Sequence, residues 1–296
     1  MRFLRLLFVL CFLFTSSALA AEFPDQVKTL DGMVKGTYDV KYGTVKWLGV
    51  PYAQVADGEK RWSLPQKSDD YDGILDCTKS APANLQFNGK EVVGKEGVLT
   101  LDIYRPDTTE KNLPVLVFLH GGNNQTGNSN MWIGDKFVKE ANAVYVSVQY
   151  RLGLLGFNNL PALATSNKIQ SSGNYGFIDQ AYALEWIKNN IDRFGGDTDN
   201  ITVSGFSAGG RDVMGMLISP LFKGKFDKAI SFSGGLTVAD YDESQKIIAS
   251  KLAPLVVADG ICQTEDAAAK WLMQNDENVR DYLMNISGER LAPVMA

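Results

Sequence analysis

The period of apolar and polar positions changes several times along the chain, and each change predicts an element. Val27-Lys28-Thr29-Leu30, Asp31-Gly32 and Met33 to Tyr38 read as two short strands on an Asp-Gly turn. Thr44 to Val50 reads as a further strand, so an antiparallel edge is expected first. Asp57 to Lys95 is rich in Gly, Asp, Lys and Pro and holds no steady period, which predicts a long surface excursion. Leu99 to Tyr104 alternates at period two, as a half-buried strand does. Leu113 to Leu119 is apolar almost throughout, as strands covered on both faces are, and Ala143 to Val148 repeats that pattern. From Gly176 to Phe194 the apolar residues Ile178, Ala181, Leu184, Ile187 and Ile191 recur at steps of three and four, predicting a helix stopped by Gly195-Gly196.

Strand Ile201 to Ser204, a helix reaching Ile218 and strand Lys228 to Ser233 complete a βαβ rhythm. That rhythm implies a mostly parallel sheet with helices on both faces. Beyond Gly235 the pattern is helical only. Tyr241 to Leu255 places Ile247, Ile248 and Leu252 on one face; Thr264 caps a helix running to Gln274, with Glu265 and Asp266 in its first turn; Asp276 to Ile286 is a third.

Composition narrows the class. Arg2 and Arg5 precede an apolar run from Leu6 to Phe14, and Ala18-Leu19-Ala20 is a small-x-small cleavage site, so residues 1–20 read as a secretory signal peptide. The run is too short to span a bilayer, so no membrane attachment is expected of the mature form. The domain then covers residues 21–296, and the net charge of −5 becomes −7 once Arg2 and Arg5 are gone. An acidic chain without a basic patch predicts no nucleic-acid partner. Hydrophobic residues make up 45%, enough for the core of one substantial α/β domain. Cys11 leaves with the leader, and Cys77 and Cys262 are expected to be free thiols. One histidine and no CxxC predict neither a metal site nor a cofactor.

The candidate chemistry lies at Gly205-Phe206-Ser207-Ala208-Gly209-Gly210, between a predicted strand and a predicted helix. A serine on so tight a turn is pushed out at the end of a sheet, and glycines flank it because a Cβ would collide there. Five letters alone are a weak signal, but their strand–turn–helix setting makes Ser207 the candidate nucleophile.

Together these residues resemble the type-B carboxylesterase family, which includes the cholinesterases, on the α/β-hydrolase fold. The resemblance is carried by Leu48-Gly49-Val50-Pro51-Tyr52-Ala53, Leu99 to Pro106, Phe118-Leu119-His120-Gly121-Gly122, Tyr150-Arg151-Leu152-Gly153, Ala183 to Asp197, Gly205 to Gly210 and Ala229 to Gly234, in family order. It implies an exported serine hydrolase acting on small carboxylic esters through an acyl-serine. Ser207 attacks, and N–H groups of Ala208, Gly121, Gly122 and Asn123 hold the oxyanion. It also exposes departures. Asn123 stands at the third family glycine, and Phe206 stands where glutamate is usual, removing a polar contact behind the turn. Val98 and Asn84 replace two family cysteines that pair, and Trp271 replaces the partner of Cys262.

The largest departure is the missing base. A serine hydroxyl needs one, normally a histidine held by a carboxylate and following the serine in this fold. Here no histidine follows Ser207, and the single His120 belongs to the oxyanion loop, where it reads as a packing residue. Asp240, Asp242, Glu243 and Glu265 read as helix caps and solvated faces. Leu291 to Ala296 resembles the start of a segment that leads, in the family, to later strands. The expectation is therefore an N-terminal part of a longer esterase, lacking the last strands of its sheet. A catalytically inactive cholinesterase-like binding module, and a split enzyme completed by a second chain, stand as alternatives.

Overall fold

The structure, a computed structural model, describes residues 22–295; the expected signal peptide at 1–20 lies outside them. The chain begins with three short strands, β1 (Gln26–Lys28), β2 (Met33–Lys35) and β3 (Thr37–Asp39), followed by the longer β4 (Thr44–Pro51). β1 and β2 pair antiparallel about the expected turn, where the Thr29 N–H donates to Gly32 O at 2.8 Å. The second arm does not continue as one strand to Tyr38. It breaks at Gly36, where a Cβ would lie 2.3 Å from Lys46 O, so that β2 joins a small sheet and β3 pairs with β4.

The stretch from Asp57 to Lys95 is more structured than its composition predicts. It contributes β5 (Ile74–Asp76), parallel to β2, and the hairpin of β6 (Gln86–Phe87) with β7 (Val92–Val93). Trp62, Cys77, Asn84 and Leu85 are buried within it. These anchors fall at irregular spacings, which is why they leave no period in the sequence. Asn84 occupies one of the two positions where the resemblance implied paired cysteines, and its amide grips the other. Nδ2 donates to Val98 O at 2.8 Å, Oδ1 accepts from Val98 N–H at 2.9 Å, and Nδ2 also reaches Tyr150 O. Cys77 and Cys262 are free.

β8 (Thr100–Pro106), β9 (Leu113–Leu119), β10 (Val144–Val148), β11 (Gly196–Phe206) and β12 (Lys228–Phe232) complete the central sheet. Its order is β12-β11-β9-β10-β8-β4-β3, with the first four parallel and the last three added antiparallel. The α/β class and the antiparallel N-terminal edge are as the pattern predicts. β8 differs from its expected half-burial, because every residue in it is buried. Its second face is covered where Tyr104 packs with Phe118, Val138 and Tyr145. On the opposite face Val115, Val117, Leu119, Val146, Ile201 and Val203 form the main core. Full burial of each such aliphatic side chain is worth about 1.5–3 kcal/mol.

Two short helices, α1 (Asp135–Ala141) and α2 (Gly153–Gly156), precede α3 (Tyr175–Asn190), whose Ile178, Ala181, Leu184 and Ile187 are buried as the spacing requires. A buried ion pair sets α3 against the exit of β10. Arg151 Nε and one terminal nitrogen donate to Asp179 at 2.8 and 2.7 Å. α4 (Ala208–Ile218) follows the Ser207 turn, and α5 (Tyr241–Ala258), α6 (Glu265–Leu272), α7 (Glu277–Asn285) and α8 (Gly288–Leu291) follow β12. They enclose a second core with Trp62, Leu154, Leu160 and Tyr175. Ile247 is a correction: it is 45% exposed, and the buried stripe of α5 runs through Ile248, Leu252 and Val256 instead. Thr264 and Asp276 cap α6 and α7 with their side chains.

Candidate active site

β9 lies between β10 and β11, so the chain leaves it on one side and later returns on the other. Such a reversal opens a crevice beyond the carboxyl ends of the strands. Both predicted site segments lie at the carboxyl ends of the strands that border this reversal: β9 runs into His120-Gly121-Gly122-Asn123, and β11 runs into Ser207.

Ser207 has φ +56° and ψ −111°, an uncommon backbone for a residue with a Cβ, at the position that caps α4. Its N–H donates to Phe232 O at 2.9 Å, and its carbonyl accepts the first helical bond from Arg211 at 3.0 Å. The flanking glycines are sterically required. A Cβ on Gly205 would lie 2.2 Å from Gly209 O, and one on Gly209 would lie 2.2 Å from Leu119 O. Ala208 is completely buried at the helix start, where unpaired N–H groups and the helix dipole favour negative charge.

The predicted oxyanion loop comes to this turn. A Cβ on Gly121 would lie 3.1 Å from Ser207 Cβ, so its backbone rests against Ser207. Gly122, at φ +106°, accepts from the N–H groups of Gln125 and Thr126. Asn123 adopts φ +57°, the left-handed region that asparagine tolerates better than most side chains, so the loop keeps its path without the third glycine. Arg211 donates to Asn123 Oδ1 at 2.6 Å.

His120 is completely enclosed. Its ring stacks on Tyr150 at 4.5 Å between centroids, and its Nδ1 lies 2.9 Å from Gly121 O. Burial pushes its pKa down to about 4, opposed by that backbone hydrogen bond, so it is neutral near pH 7. It props the loop, as the sequence predicts. Among the described residues no side chain hydrogen-bonds Ser207 Oγ. Asp240 accepts from Glu243 N–H as the cap of α5, and Glu265 lies in the first turn of α6.

Sequence reasoning missed the polar network behind the turn. Tyr150 OH lies 2.8 Å from His120 O and 3.2 Å from Asn124 Oδ1; Asn124 donates to Asp212 at 3.0 Å, and Gln180 donates to its other oxygen at 2.6 Å. Burial raises the Asp212 pKa, against the hydrogen bonds of Gln180 and Asn124. Only two local signals pointed here: Tyr150 in the Tyr-Arg-Leu-Gly stretch, and Asp212, the one acid of α4. Phe206 also departs from expectation. Its ring is 42% exposed and leans on Trp132 at 6.2 Å, so this position lines the open side of the turn rather than its back.

A sequence profile of the carboxylesterase family matches residues 24–287. The chain belongs to the carboxylesterase family. Para-nitrobenzyl esterase of Bacillus subtilis is 35% identical over 243 residues, covering 79% of this chain and 48% of that protein. Liver carboxylesterase of Sus scrofa is 37% identical over 254 residues, covering 78% and 44%. A solved PNB esterase structure superposes with a TM-score of 0.78 at 32% identity, over 92% of this chain and 53% of that one. This carboxylesterase-family chain thus has the α/β-hydrolase architecture and spans about half the length of the curated relatives it matches. Among its described residues, no helix is long and apolar enough to cross a membrane.

Proposed function

We propose that Ser207 is the nucleophile of a serine hydrolase that cleaves small-molecule carboxylic esters, with its histidine and acid supplied from outside these 296 residues. The observation that carries this reading is the placement of Ser207 on a strained strand–helix turn with Gly121 of the oxyanion loop against it. In the reaction Ser207 Oγ attacks the ester carbonyl while the external base accepts its proton. The carbonyl oxygen becomes an oxyanion held by N–H groups of Ala208, Gly121, Gly122 and Asn123. Collapse expels the alcohol, which takes a proton from the conjugate acid, and water then releases the carboxylic acid from the acyl-serine. In this reading residues 1–20 are an export signal and 21–296 are the N-terminal part of the hydrolase domain. The relatives para-nitrobenzyl esterase and liver carboxylesterase are named for the same reaction class.

A second reading is a catalytically inactive binding module; the burial of His120 and the lack of any partner for Ser207 Oγ among the described residues favour it. Labelling with a fluorophosphonate, with and without added imidazole as a surrogate base, separates the two. The esterase reading expects labelling that appears with imidazole and is absent in Ser207→Ala. Folded protein that stays unlabelled with imidazole, or labelling that survives Ser207→Ala, would overturn it.

A further inference from the structure

The oxyanion loop is attached at two adjacent points to the helical turn that carries the nucleophile. Asn123 and Asn124 sit consecutively in the left-handed region, at φ +57° and +55°, and each is held by its side chain. Asn123 Oδ1 accepts from Arg211 at 2.6 Å, and Asn124 Nδ2 donates to Asp212 at 3.0 Å. Arg211 and Asp212 are themselves consecutive near the start of α4, and the Arg211 N–H donates to Ser207 O. Asp212 is anchored in turn by Gln180, and the Asn124 backbone accepts from Gly153 N–H at 2.7 Å.

From this geometry we infer that Arg211 and Asp212 are positioning residues, fixing Gly121–Asn124 relative to Ser207 and Ala208 through the Asn123 and Asn124 side chains. The inference rests on the reading of Ser207 as nucleophile. A single attachment would let the loop pivot about one bond; two adjacent ones oppose that rotation. Glycine at position 123, as in the resembling family, has no side chain to offer Arg211, so the first attachment exists because asparagine stands there. The requirement is geometric, since oxyanion donors act only when they lie about 2.7–3.1 Å from where the oxygen will be. Asparagine makes up for the lost glycine twice: its backbone tolerates the left-handed turn, and its amide ties the loop down.

The test uses the 296-residue protein with Asn123→Gly, Arg211→Ala, Arg211→Lys and the Asn123→Gly/Arg211→Ala double variant. Amide hydrogen exchange over residues 121–126 is expected to quicken about fivefold in each of Asn123→Gly and Arg211→Ala, as loss of one hydrogen bond predicts, and no further in the double. Imidazole-supported labelling of Ser207 is expected to slow about tenfold in the same two variants without additivity, at unchanged melting temperature, with part of the rate restored in Arg211→Lys. Unchanged exchange in Arg211→Ala, or additive effects in the double variant, would overturn the inference. So would faster exchange at an unchanged labelling rate, because loop order would then be immaterial to Ser207. If the wild type never labels at Ser207, the nucleophile reading fails, and hydrogen exchange alone still decides whether the Asn123–Arg211 attachment holds the loop.

Discussion

At the scale of the residue, the site divides by how local its causes are. Ser207, Ala208 and the glycines around them are legible in the sequence because a tight turn is a property of a few consecutive residues. The network of Tyr150, Asn124, Gln180 and Asp212 is not, because its partners are brought together only by the strand order of the sheet. His120 shows that the environment sets a residue's chemistry. Burial holds its folded-state pKa at about 4, below the 6.5 of the free side chain. Between those values the unfolded chain binds a proton that the native chain does not. The stability this residue contributes is therefore complete above about pH 6.5 and is lost as pH falls toward 4. Because it is the chain's only histidine, its ring signals in an NMR titration are unambiguous. A midpoint near 4 is expected in the folded protein and one near 6.5 in denaturant; a folded midpoint near 6.5 would mean that the ring is solvated and free to act as a base.

At the scale of the element, caps and helical stripes are readable because they too are local: Thr264 caps the helix it was expected to cap, and Asp276, expected only as the start of a helix, caps α7. Strand alternation misled at β8, since whether a second face is covered depends on residues elsewhere, here Val138 of α1 and Tyr145 of β10. The attachment of the C-terminal helices was also invisible in the sequence. Arg61 makes a forked pair with Glu96, at 2.5 and 2.7 Å, and its remaining nitrogen reaches the carbonyls of Leu283, Met284 and Ile286 around the end of α7. A guanidinium there both satisfies terminal carbonyls and complements the helix dipole. Breaking a largely buried pair by removing one partner costs about 3 kcal/mol. Arg61→Ala is expected to lose that much in chemical denaturation and to speed amide exchange across residues 277–291. Arg61→Lys, which keeps the charge but not the fork, should recover only part; full recovery would show that charge alone is responsible.

At the scale of the whole molecule, the hydrophobic pattern conveyed the α/β class because a parallel sheet must be buried on both faces. It did not reveal how unevenly the faces are covered. β12 is an edge of the central sheet among the described residues, and its burial alternates between half-buried and exposed positions. Ile230 and Phe232 are 41% and 50% exposed, and Phe206, which stands opposite Phe232 in the register of β11 and β12, is exposed as well. An unpaired edge strand carrying exposed apolar side chains is a template for pairing with another strand, and burying those side chains adds a driving force for association. The net charge of −5 is modest opposition for a chain of this size at physiological ionic strength. Purified protein is therefore expected to associate as its concentration rises, seen as increasing mass in size exclusion with light scattering. The paired change Ile230→Lys and Phe232→Lys should return it to monomer at the same melting temperature, because neither side chain is committed to the core. A wild-type protein that stays monomeric at high concentration would show that this face is better solvated than its exposed aromatic and aliphatic side chains imply.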